Sequence, residues 1–304
     1  MIVDFNKVKD KLNDIRVGKS KEGEKIGVPA IDNYFRFKYG NFNVVLGHAN
    51  VGKTTVILYL MLVYAKRLGI RWLVFSSENE PHSIVRKLVE FLEQKPINKI
   101  NETEFNQHLE FINDYFKIVD ASELYTYRKL IELSTAIKKA WDYQGLLIDP
   151  YNSLIKDPEL SKSIGGHEYD YQATTEMRLF SKKYNVSIYL NTHANTNALR
   201  IKHPMGHDYC GHPIPPMASD VEGGGKFVNR ADDFLVIHRY IQHPSEWMCS
   251  HIHVRKVKEI ETGGRPTPID EPIVLRSIVG NVGFEIDGEP VLETPLREQS
   301  NIPF

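Results

Sequence analysis

The stretch "VVLGHANVGKTTVILYL" (residues 44–60) places a glycine-rich loop between two apolar runs. Gly47–Thr54 matches the pattern G-x-x-x-x-G-K-[ST] in full, and that pattern is typical of loops that hold the phosphates of a nucleoside triphosphate. The apolar strand before the loop and the apolar helix after it are the context that the pattern requires. The stretch therefore predicts a nucleotide-binding α/β domain that uses ATP and Mg²⁺.

Each residue type in this loop has a chemical reason. Glycines let backbone N–H groups close around phosphate oxygens, and the N-terminus of the following helix adds partial positive charge. Lys53 is expected to reach the β and γ phosphates, while the hydroxyl of Thr54 is offered to Mg²⁺. We expect nucleotide contacts from Gly47, Asn50, Val51, Gly52, Lys53, Thr54 and Thr55.

A second anchor for the metal is predicted at the end of a buried strand. The segment "GLLIDPYNS" ends an apolar run in Asp149, directly before Pro150. An aspartate at this place orders the magnesium ion, usually through water. The alternative is that Asp149 caps a helix or forms a turn before the proline.

Two further strands also end in polar residues. "WLVFSSENEP" ends in Glu78, which we expect to polarise the attacking water as a general base, although a solvated loop glutamate or a helix N-cap is the alternative. "SIYLNTHANT" ends in Asn191, Thr192 and His193. His193 can contact the γ phosphate and report its presence to the following loop, but a lone histidine is as often structural.

Size and composition exclude several classes of protein. The chain has 304 residues, of which 41% are hydrophobic and 25% charged, so it suits one large core with a small appendage. Its formal net charge of −1 argues neither for nor against nucleic acid, since basic groups could be concentrated in one groove or loop. Two cysteines and a polar start predict a reduced, cytoplasmic protein, and the longest apolar run, Val56–Ala65, is too short to span a membrane.

The chain is predicted to consist of a helical arm with a linker (residues 1–25) and one ATPase domain (residues 26–304). The arm carries one apolar stripe, formed by Phe5, Val8, Leu12 and Ile15. In the domain, apolar strands alternate with amphipathic helices, which predicts a mostly parallel sheet between helices. Two long connections, Lys156–His167 and Asn195–Gly225, are expected to be functional or disordered.

The strand and helix candidates follow from this alternation. Strands are predicted at Phe42–Leu46, Trp72–Ser76, Phe116–Val119, Leu146–Ile148, Ser187–Asn191, Phe234–His238 and Ile252–Val257. Helices are predicted at Thr54–Lys66, His82–Leu92, Tyr127–Trp141 and Tyr169–Lys183.

The series of motifs resembles a known family. The phosphate loop is followed by "SSEN", "LLIDP", "NTHAN", "VEGGGKFVNRADDFLVIHR" and "IHVRKVKEIETGG". This order is similar to the RecA-like motor domain of ring-shaped replicative helicases of the DnaB group, in the style of phage and mitochondrial primase-helicases. The resemblance covers about residues 25–285. It implies a RecA-like P-loop NTPase fold, a homo-oligomer that is a hexamer, and an ATP-driven DNA helicase of the 5′ to 3′ type that translocates on single-stranded DNA.

The resemblance also implies roles for individual residues. Glu78 would be the catalytic base, Asp149 the magnesium aspartate and His193 the phosphate sensor. Arg239 matches an arginine near the nucleotide, and Asn229 a polar position that links nucleotide state to DNA. The loop Asn195–Lys226 would line the central channel and contact DNA phosphates through Arg200, Lys202 and Lys226.

The sequence departs from the family pattern in its basic strand. Where the family has lysine, any residue, arginine, this chain has Lys256-Val257-Lys258. By register Lys258 would be the finger that reaches a neighbour's phosphate, but an ammonium cannot make the planar two-pronged contact of arginine. Lys256, Arg255 and Arg265 are the alternatives, and the strand could also be an exposed edge protected by charge.

Partners follow from the same resemblance. No primase or metal-binding domain precedes the motor in this sequence, so we expect any primase or loader to be a separate chain. The arm would then pack on the adjacent subunit.

Zinc and two rival functions remain open at this stage. His203, His207, Cys210 and His212, together with Cys249, His251 and His253, have ligand chemistry for zinc, but their spacing fits no paired motif and they could contact DNA instead. The rival functions are a RecA-like or KaiC-like DNA-dependent ATPase in recombination, packaging or helicase loading, and a nucleotide-dependent switch scaffold.

Overall fold

The structure is a computed structural model that describes residues 4–17 and 22–293. Part of the predicted linker (residues 18–21) and the last residues of the predicted domain (294–304) lie outside the described residues. In the described part, no helix is long and apolar enough to cross a membrane.

The core of the protein is a ten-stranded sheet within the described ranges. Its strands are β1 Phe42–Gly47, β2 Trp72–Ser76, β3 Phe116–Ile118, β4 Gly145–Asp149, β5 Ser187–His193, β6 Asp233–His238, β7 Cys249–Val257, β8 Ile273–Ser277, β9 Phe284–Ile286 and β10 Glu289–Pro290. Their order is β10-β9-β8-β7-β6-β1-β5-β4-β2-β3. Strands β1 to β6 pair in parallel, and β6 to β10 pair in antiparallel. The predicted mostly parallel sheet is confirmed.

Helices cover both faces of the sheet. They are α1 Phe5–Arg16, α2 Pro29–Asp32, α3 Lys53–Leu68, α4 Pro81–Glu93, α5 Glu102–Tyr115, α6 Tyr127–Ala140, α7 Pro158–Tyr184 and α8 Lys226–Arg230. One core contains α3, α4 and α5, and the other contains α6, α7 and α8. Because side chains alternate along a strand, Val45 faces the first core and Val44 the second.

One glycine in the sheet is required by packing. The ring of Trp72 on β2 lies over Gly145 on β4, and a Cβ built there would lie 2.1 Å from that ring. A larger residue at position 145 would therefore displace the indole, which is fully buried in the first core.

The predicted connection Lys156–His167 is wrong. Helix α7 begins at Pro158, and the carboxylate of Asp157 caps it by accepting from the backbone N–H groups of Glu159 and Leu160. Gly165 then interrupts the helix with φ of 73°. The proline and the two glycines that indicated a loop are instead a helix start and a break inside a helix.

Most of the remaining predicted elements are present in the structure. All seven predicted strands and four predicted helices are present, β2 with the predicted ends and the others with shifted ends. Helices α2, α5 and α8 and the strands β8 to β10 were not predicted. The predicted arm is helical, and its Phe5 and Leu12 are exposed in this single chain. The side chain of Ile15 lies outside those described. The connection Asn195–Gly225 is confirmed as a long segment that holds only two short 3-10 turns.

Candidate nucleotide-binding site

The residues with predicted nucleotide chemistry lie at one edge of the sheet. Gly47 at the end of β1 pairs with His193 at the end of β5, and Ser76 at the end of β2 pairs with Asp149 at the end of β4. Because these strands are parallel, their carboxyl ends share an edge, which is where open α/β sheets bind ligands. The phosphate loop and the polar ends of β2, β4 and β5 therefore lie at the same edge of the sheet.

The phosphate loop has the backbone that its glycines permit. Gly52 has φ of 85° directly before α3, which begins at Lys53. A Cβ at Gly47 would lie 2.5 Å from the carbonyl oxygen of Ile237 on the adjacent strand β6. Gly47 is therefore required by the close approach of β6, and Gly52 is required by its left-handed conformation.

Lys53 is buried and bonded within its own loop. Its ammonium donates to the carbonyl oxygens of Gly47 (3.0 Å) and His48 (2.8 Å) and lies 3.3 Å from Nδ1 of His193. Burial lowers the pKa of Lys53 to about 8, against the opposing effect of the Asp149 and Glu78 carboxylates. A nucleotide phosphate would supply the negative charge that this amine lacks.

His193 joins Lys53 to Glu78. Because an ammonium can only donate, Nδ1 of His193 accepts and the ring proton is assigned to Nε2. That nitrogen lies 3.6 Å from Oε1 of Glu78. The predicted sensor and the predicted base are thus next to each other and next to the phosphate lysine.

Thr54 and Asp149 form the candidate magnesium position. The hydroxyl of Thr54 donates to Oδ2 of Asp149 at 2.7 Å, and the amide of Asn191 donates to Oδ1 at 2.7 Å. Burial raises the pKa of Asp149 despite these hydrogen bonds. Oδ1 of Asn191 is buried without a hydrogen-bond partner. These hard oxygen donors fit Mg²⁺, and the alternative of a capping aspartate is not supported, because the carboxylate is bound to Thr54 and Asn191.

Glu78 is free to face a ligand. Its side chain is 55% exposed, and helix α4 is capped at Glu80 instead of Glu78. The N-cap alternative for Glu78 is therefore wrong. The turn that carries it is held by the backbone N–H of Ser77, which donates to the carbonyl oxygen of Asp149 at 3.1 Å.

Arg239 lies beside the phosphate loop. Its Nη1 is 3.9 Å from the position a Cβ of Gly52 would take, and its Nε donates to the carbonyl oxygen of Trp247. The guanidinium also lies 6.0 Å from the centre of the Trp247 ring. This position agrees with the predicted place near the nucleotide.

The predicted DNA contacts divide into two groups. Arg200 and Lys202 are exposed on the segment that follows His193, and Asn229 is exposed on α8. Lys226 is 5% exposed, and its ammonium lies 3.2 Å from Asp170. The first three are accessible to a DNA strand, whereas the position of Lys226 favours a structural role in this conformation.

Two of the candidate finger residues, Lys256 and Lys258, lie towards the opposite edge of the sheet. β7 is antiparallel to β6, and the backbone N–H of Lys258 donates to the carbonyl oxygen of Asp232. The next residue, Asp233, pairs with Asn43, which is four residues or about 13 Å along β1 from Gly47. Lys256 donates to the carbonyl oxygens of Val228 and Ala231 at the end of α8. Lys256 and Lys258 therefore lie away from the phosphate loop of their own chain, whereas Arg255 lies in the middle of the paired part of β7.

Lys258 and Arg255 differ in their surroundings. Lys258 is 45% exposed and lies 3.5 Å from Asp232, which also binds Arg178 at 2.7 Å. Arg255 is the extra residue of a β-bulge, because Lys256 pairs with Phe234 and Val254 with Leu235. The sequence favoured Lys258, and of the two it is the more accessible.

The zinc alternative finds no cluster to support it. Among the described residues, no group of three or more His, Cys, Asp or Glu side chains could hold a metal ion. The rings of His203 and His207 instead stack at 3.9 Å, and Cys210 is exposed while Cys249 is buried.

The chain resembles known proteins in sequence and in structure. No protein-family model matches the chain. The Twinkle homolog protein, chloroplastic/mitochondrial, of Arabidopsis thaliana is 24% identical over 228 residues, which are 71% of this chain and 30% of that protein. The chain thus spans less than a third of the length of this relative.

Solved structures resemble nearly the whole chain. The ATPase domain of G40P has a TM-score of 0.73 at 13% identity, covering 93% of this chain and 99% of that one. A DnaB-like replicative helicase, studied with its primase interactions, has a TM-score of 0.69 at 14% identity, covering 93% and 66%. The chain therefore has the fold of these two ATPase domains. A KaiC-like protein of Pyrococcus horikoshii OT3 resembles this ATPase domain less, with a TM-score of 0.54 at 14% identity over 87% and 98%.

Sequence reasoning missed part of this edge. His48, inside the phosphate loop, is buried, and its ring lies 6.3 Å from that of the buried His238. The signal was present, because "GHANVGKT" and "LVIHR" each place a histidine next to a predicted glycine-rich or apolar segment. The phosphate loop therefore has a histidine contact, between His48 and His238, in addition to His193.

Proposed function

We propose that this ATPase domain is the motor of an ATP-driven replicative DNA helicase, which assembles as a ring, translocates on single-stranded DNA and unwinds duplex DNA. One observation carries the proposal. His193 lies 3.3 Å from Lys53 and 3.6 Å from Glu78, and the chain runs from it directly into the segment with Arg200 and Lys202. A change at the γ phosphate can thus move a basic segment that faces solvent.

The chemistry is attack of water on the γ phosphate. Glu78 accepts a proton from that water, and Lys53 stabilises negative charge on the phosphate oxygens. Thr54 and Asp149 would hold Mg²⁺, which supplies charge neutralisation when bound. His193 orients Glu78 through Nε2 and senses the phosphate through its contact with Lys53.

The assembly in this proposal is a hexamer with ATP between subunits. In this proposal Lys258, which lies away from the phosphate loop of its own chain, serves a neighbour's nucleotide, with Arg255 as the alternative. The exposed Phe5 and Leu12 of α1 would pack on the adjacent subunit. Arg200, Lys202 and Asn229 would contact the DNA strand, and a primase or loader would be a separate partner in the cytoplasm of a bacterial or phage-infected cell.

Unwinding of forked DNA tests the proposal. The substrates carry either a 5′ or a 3′ loading strand and are incubated with ATP or with a non-hydrolysable analogue. We expect strand separation with ATP on the fork with the 5′ strand, and none with the analogue or with Lys53→Ala. Clean hexamers that hydrolyse ATP but separate neither fork would contradict the proposal and favour a DNA-dependent ATPase or a switch.

A further inference from the structure

A second cavity lies away from the phosphate loop, between the segment Asn195–Gly225 and strands β7 and β8. Its volume is about 290 Å³. We call it the loop pocket and define it by its floor, which is formed by His251, His253 and Arg255. Nothing in the proposed hydrolysis uses these residues as a group.

The floor carries buried nitrogens that have no partner. His253 is 3% exposed, and neither of its ring nitrogens makes a hydrogen bond. His251 is 4% exposed with Nε2 unpartnered, and Nε of Arg255 is buried and unpartnered as well. Buried polar groups in proteins are nearly always satisfied, so this set points to a ligand with hydrogen-bonding atoms.

The walls of the loop pocket are flat or apolar. Tyr209 and Tyr240 stack with ring centres 3.8 Å apart and planes 12° apart. The rings of His203 and His207, which also line the cavity, form a second stack at 3.9 Å. Apolar side chains complete the wall, namely Ile214, Met217, Ile269 and Pro272.

The electrostatics favour a neutral ligand over an anion. Burial lowers the pKa of His253 to about 3 and lowers the pKa of His251, so both rings are neutral near pH 7. Each neutral ring offers one donor and one acceptor. Asp270 and Glu271 also line the cavity, where they offset the positive charge of Arg255 and oppose a phosphate. The volume lies at the lower end of ligand pockets, about 300 to 1,000 Å³, and suits one ring system better than a whole nucleotide.

We propose that the loop pocket binds a single nucleobase, with its face against the aromatic wall and its polar edge on the His251, His253 and Arg255 floor. Two sources share this chemistry, a base of single-stranded DNA and a free nucleoside. The strand is the source that accords with the proposed function, on which this part of the inference rests, because Arg200 and Lys202 lie on the same segment of chain. Stacking of a base on an aromatic side chain contributes about 1–3 kcal/mol, equivalent to about 5-fold to 150-fold in affinity.

Fluorescence of 2-aminopurine tests the pocket, because stacking quenches this base. The full chain is mixed with an oligothymidylate that carries one 2-aminopurine, with the same backbone made abasic, and with free 2-aminopurine riboside. We expect quenching in the strand and a binding constant at least about fivefold weaker for the abasic strand, measured by anisotropy. Tyr209→Leu should abolish quenching and make the two strands bind equally, while Tyr209→Phe should retain both effects.

The matched control is Tyr39→Leu, the same change at a half-exposed tyrosine beside the opposite edge of the sheet, and it should behave as the native chain. Thermal melting verifies that each variant folds. Equal binding of normal and abasic strands by the native chain, without quenching of either probe, would overturn the pocket but leave DNA binding intact. Binding of neither strand would instead contradict the proposed function, and quenching of free riboside alone would assign the pocket to a free nucleoside.

Discussion

The hydroxyl of Thr54 donates a hydrogen bond of 2.7 Å to Oδ2 of Asp149, so the phosphate loop and the end of β4 meet at one pair of oxygens. The contact joins residues that are 95 positions apart in the sequence. Asn191 holds the other carboxylate oxygen from β5. Helix α3 and strands β4 and β5 thus fix the position at which Mg²⁺ is expected.

Asp149→Asn tests this position. Burial raises the pKa of Asp149, so the ionised carboxylate opposes folding above that pKa. In the absence of nucleotide, the neutral amide of the variant should therefore raise the free energy of unfolding by on the order of 1 kcal/mol. The same change should remove the stabilisation by Mg²⁺ and ATP, because one metal ligand is lost. Melting curves with and without Mg²⁺ and ATP measure both effects, with the exposed Asp114→Asn as control. A variant that retains full Mg²⁺-dependent stabilisation would exclude Asp149 from the metal site.

Binding of ATP should take up a proton at alkaline pH. The pKa of Lys53 is lowered to about 8 by burial, so at pH 9 about nine-tenths of the amine is neutral without ligand. Phosphate charge raises this pKa again, and about 0.9 proton should enter per ATP at pH 9, against about 0.1 at pH 7. Calorimetry in two buffers of different ionisation enthalpy gives the number of protons taken up per ATP bound. Lys53→Arg should show no uptake if it binds ATP, because guanidinium does not titrate in this range.

Glu78→Gln should separate binding from hydrolysis. The amide is nearly the same size as the carboxylate but cannot accept the proton of the attacking water, so turnover should fall by about 10² to 10⁴ with ATP affinity preserved. A steady-state ATPase assay and a nucleotide-binding titration measure the two quantities. Glu80→Gln is a matched control, since Glu80 is exposed and its side chain makes no capping bond. Normal turnover in Glu78→Gln would remove Glu78 from its role.

The sequence was sufficient for the site because the signal is local. A polar residue directly after an apolar strand identifies a strand end, and parallel strands put such ends together, so Glu78, Asp149 and His193 could be grouped without coordinates. The first half of α7 was missed because Pro158 and Gly165 suggest a loop, although Asp157 before a proline is also a helix start. α5 was missed because only Ile112 of its side chains is fully buried, which leaves a weak apolar stripe.

The loop pocket could not be predicted from the sequence. His251 and His253 alternate with Ile252 and Val254 on β7, which indicates a strand with one polar face. That face is buried, because the segment Asn195–Gly225 folds over it and brings Tyr209 to within a ring contact of His251. Spacing within each stretch carries no information about this contact, which depends on how a long connection packs.

The buried histidines should make the protein sensitive to acid. Burial, together with neighbouring histidines, lowers the pKa of His238 to about 2, and burial lowers that of His253 to about 3. The neutral rings therefore stabilise the folded state above the pKa of an unfolded histidine, about 6.5, and this stabilisation is lost as the pH falls below that value. The free energy of unfolding should fall by up to about 1.4 kcal/mol per pH unit for each ring. Urea unfolding at pH 7.5, 6.5 and 5.5 measures the slope.

His238→Phe is the informative variant for this slope. Neither nitrogen of His238 makes a hydrogen bond, so phenylalanine sacrifices no polar contact and can still pack edge-on against Tyr240, whose ring centre is 4.6 Å away. Unfolding of the variant should have a shallower pH dependence, by about 1 kcal/mol per pH unit between pH 6.5 and 5.5. An unchanged slope would show that His238 is protonated in the folded state.

Lys258 should act on the nucleotide of a neighbouring subunit. In the single chain it shares Asp232 with Arg178 and Lys182, so Lys258→Ala should cost little stability, under about 1 kcal/mol. Its loss should lower turnover because charge at the γ phosphate loses a cation, whereas ATP binding should remain. Steady-state ATPase rates and melting curves measure these effects.

Mixing of variants shows whether Lys258 acts across an interface. Lys53→Met should be inactive alone and Lys258→Ala should have lowered activity alone, but mixed rings contain sites in which a native Lys53 faces a native Lys258 of the neighbour. We expect ATPase activity to reappear on mixing and to vanish when both changes are in the same chain. Lys182→Ala is the control, because Lys182 also contacts Asp232 but lies on α7. A mixture of Lys182→Ala with Lys53→Met should show only the activity that Lys182→Ala has alone. If no ATPase activity reappears on mixing, the finger role of Lys258 is wrong. Arg255→Ala would then be mixed with Lys53→Met in the same way.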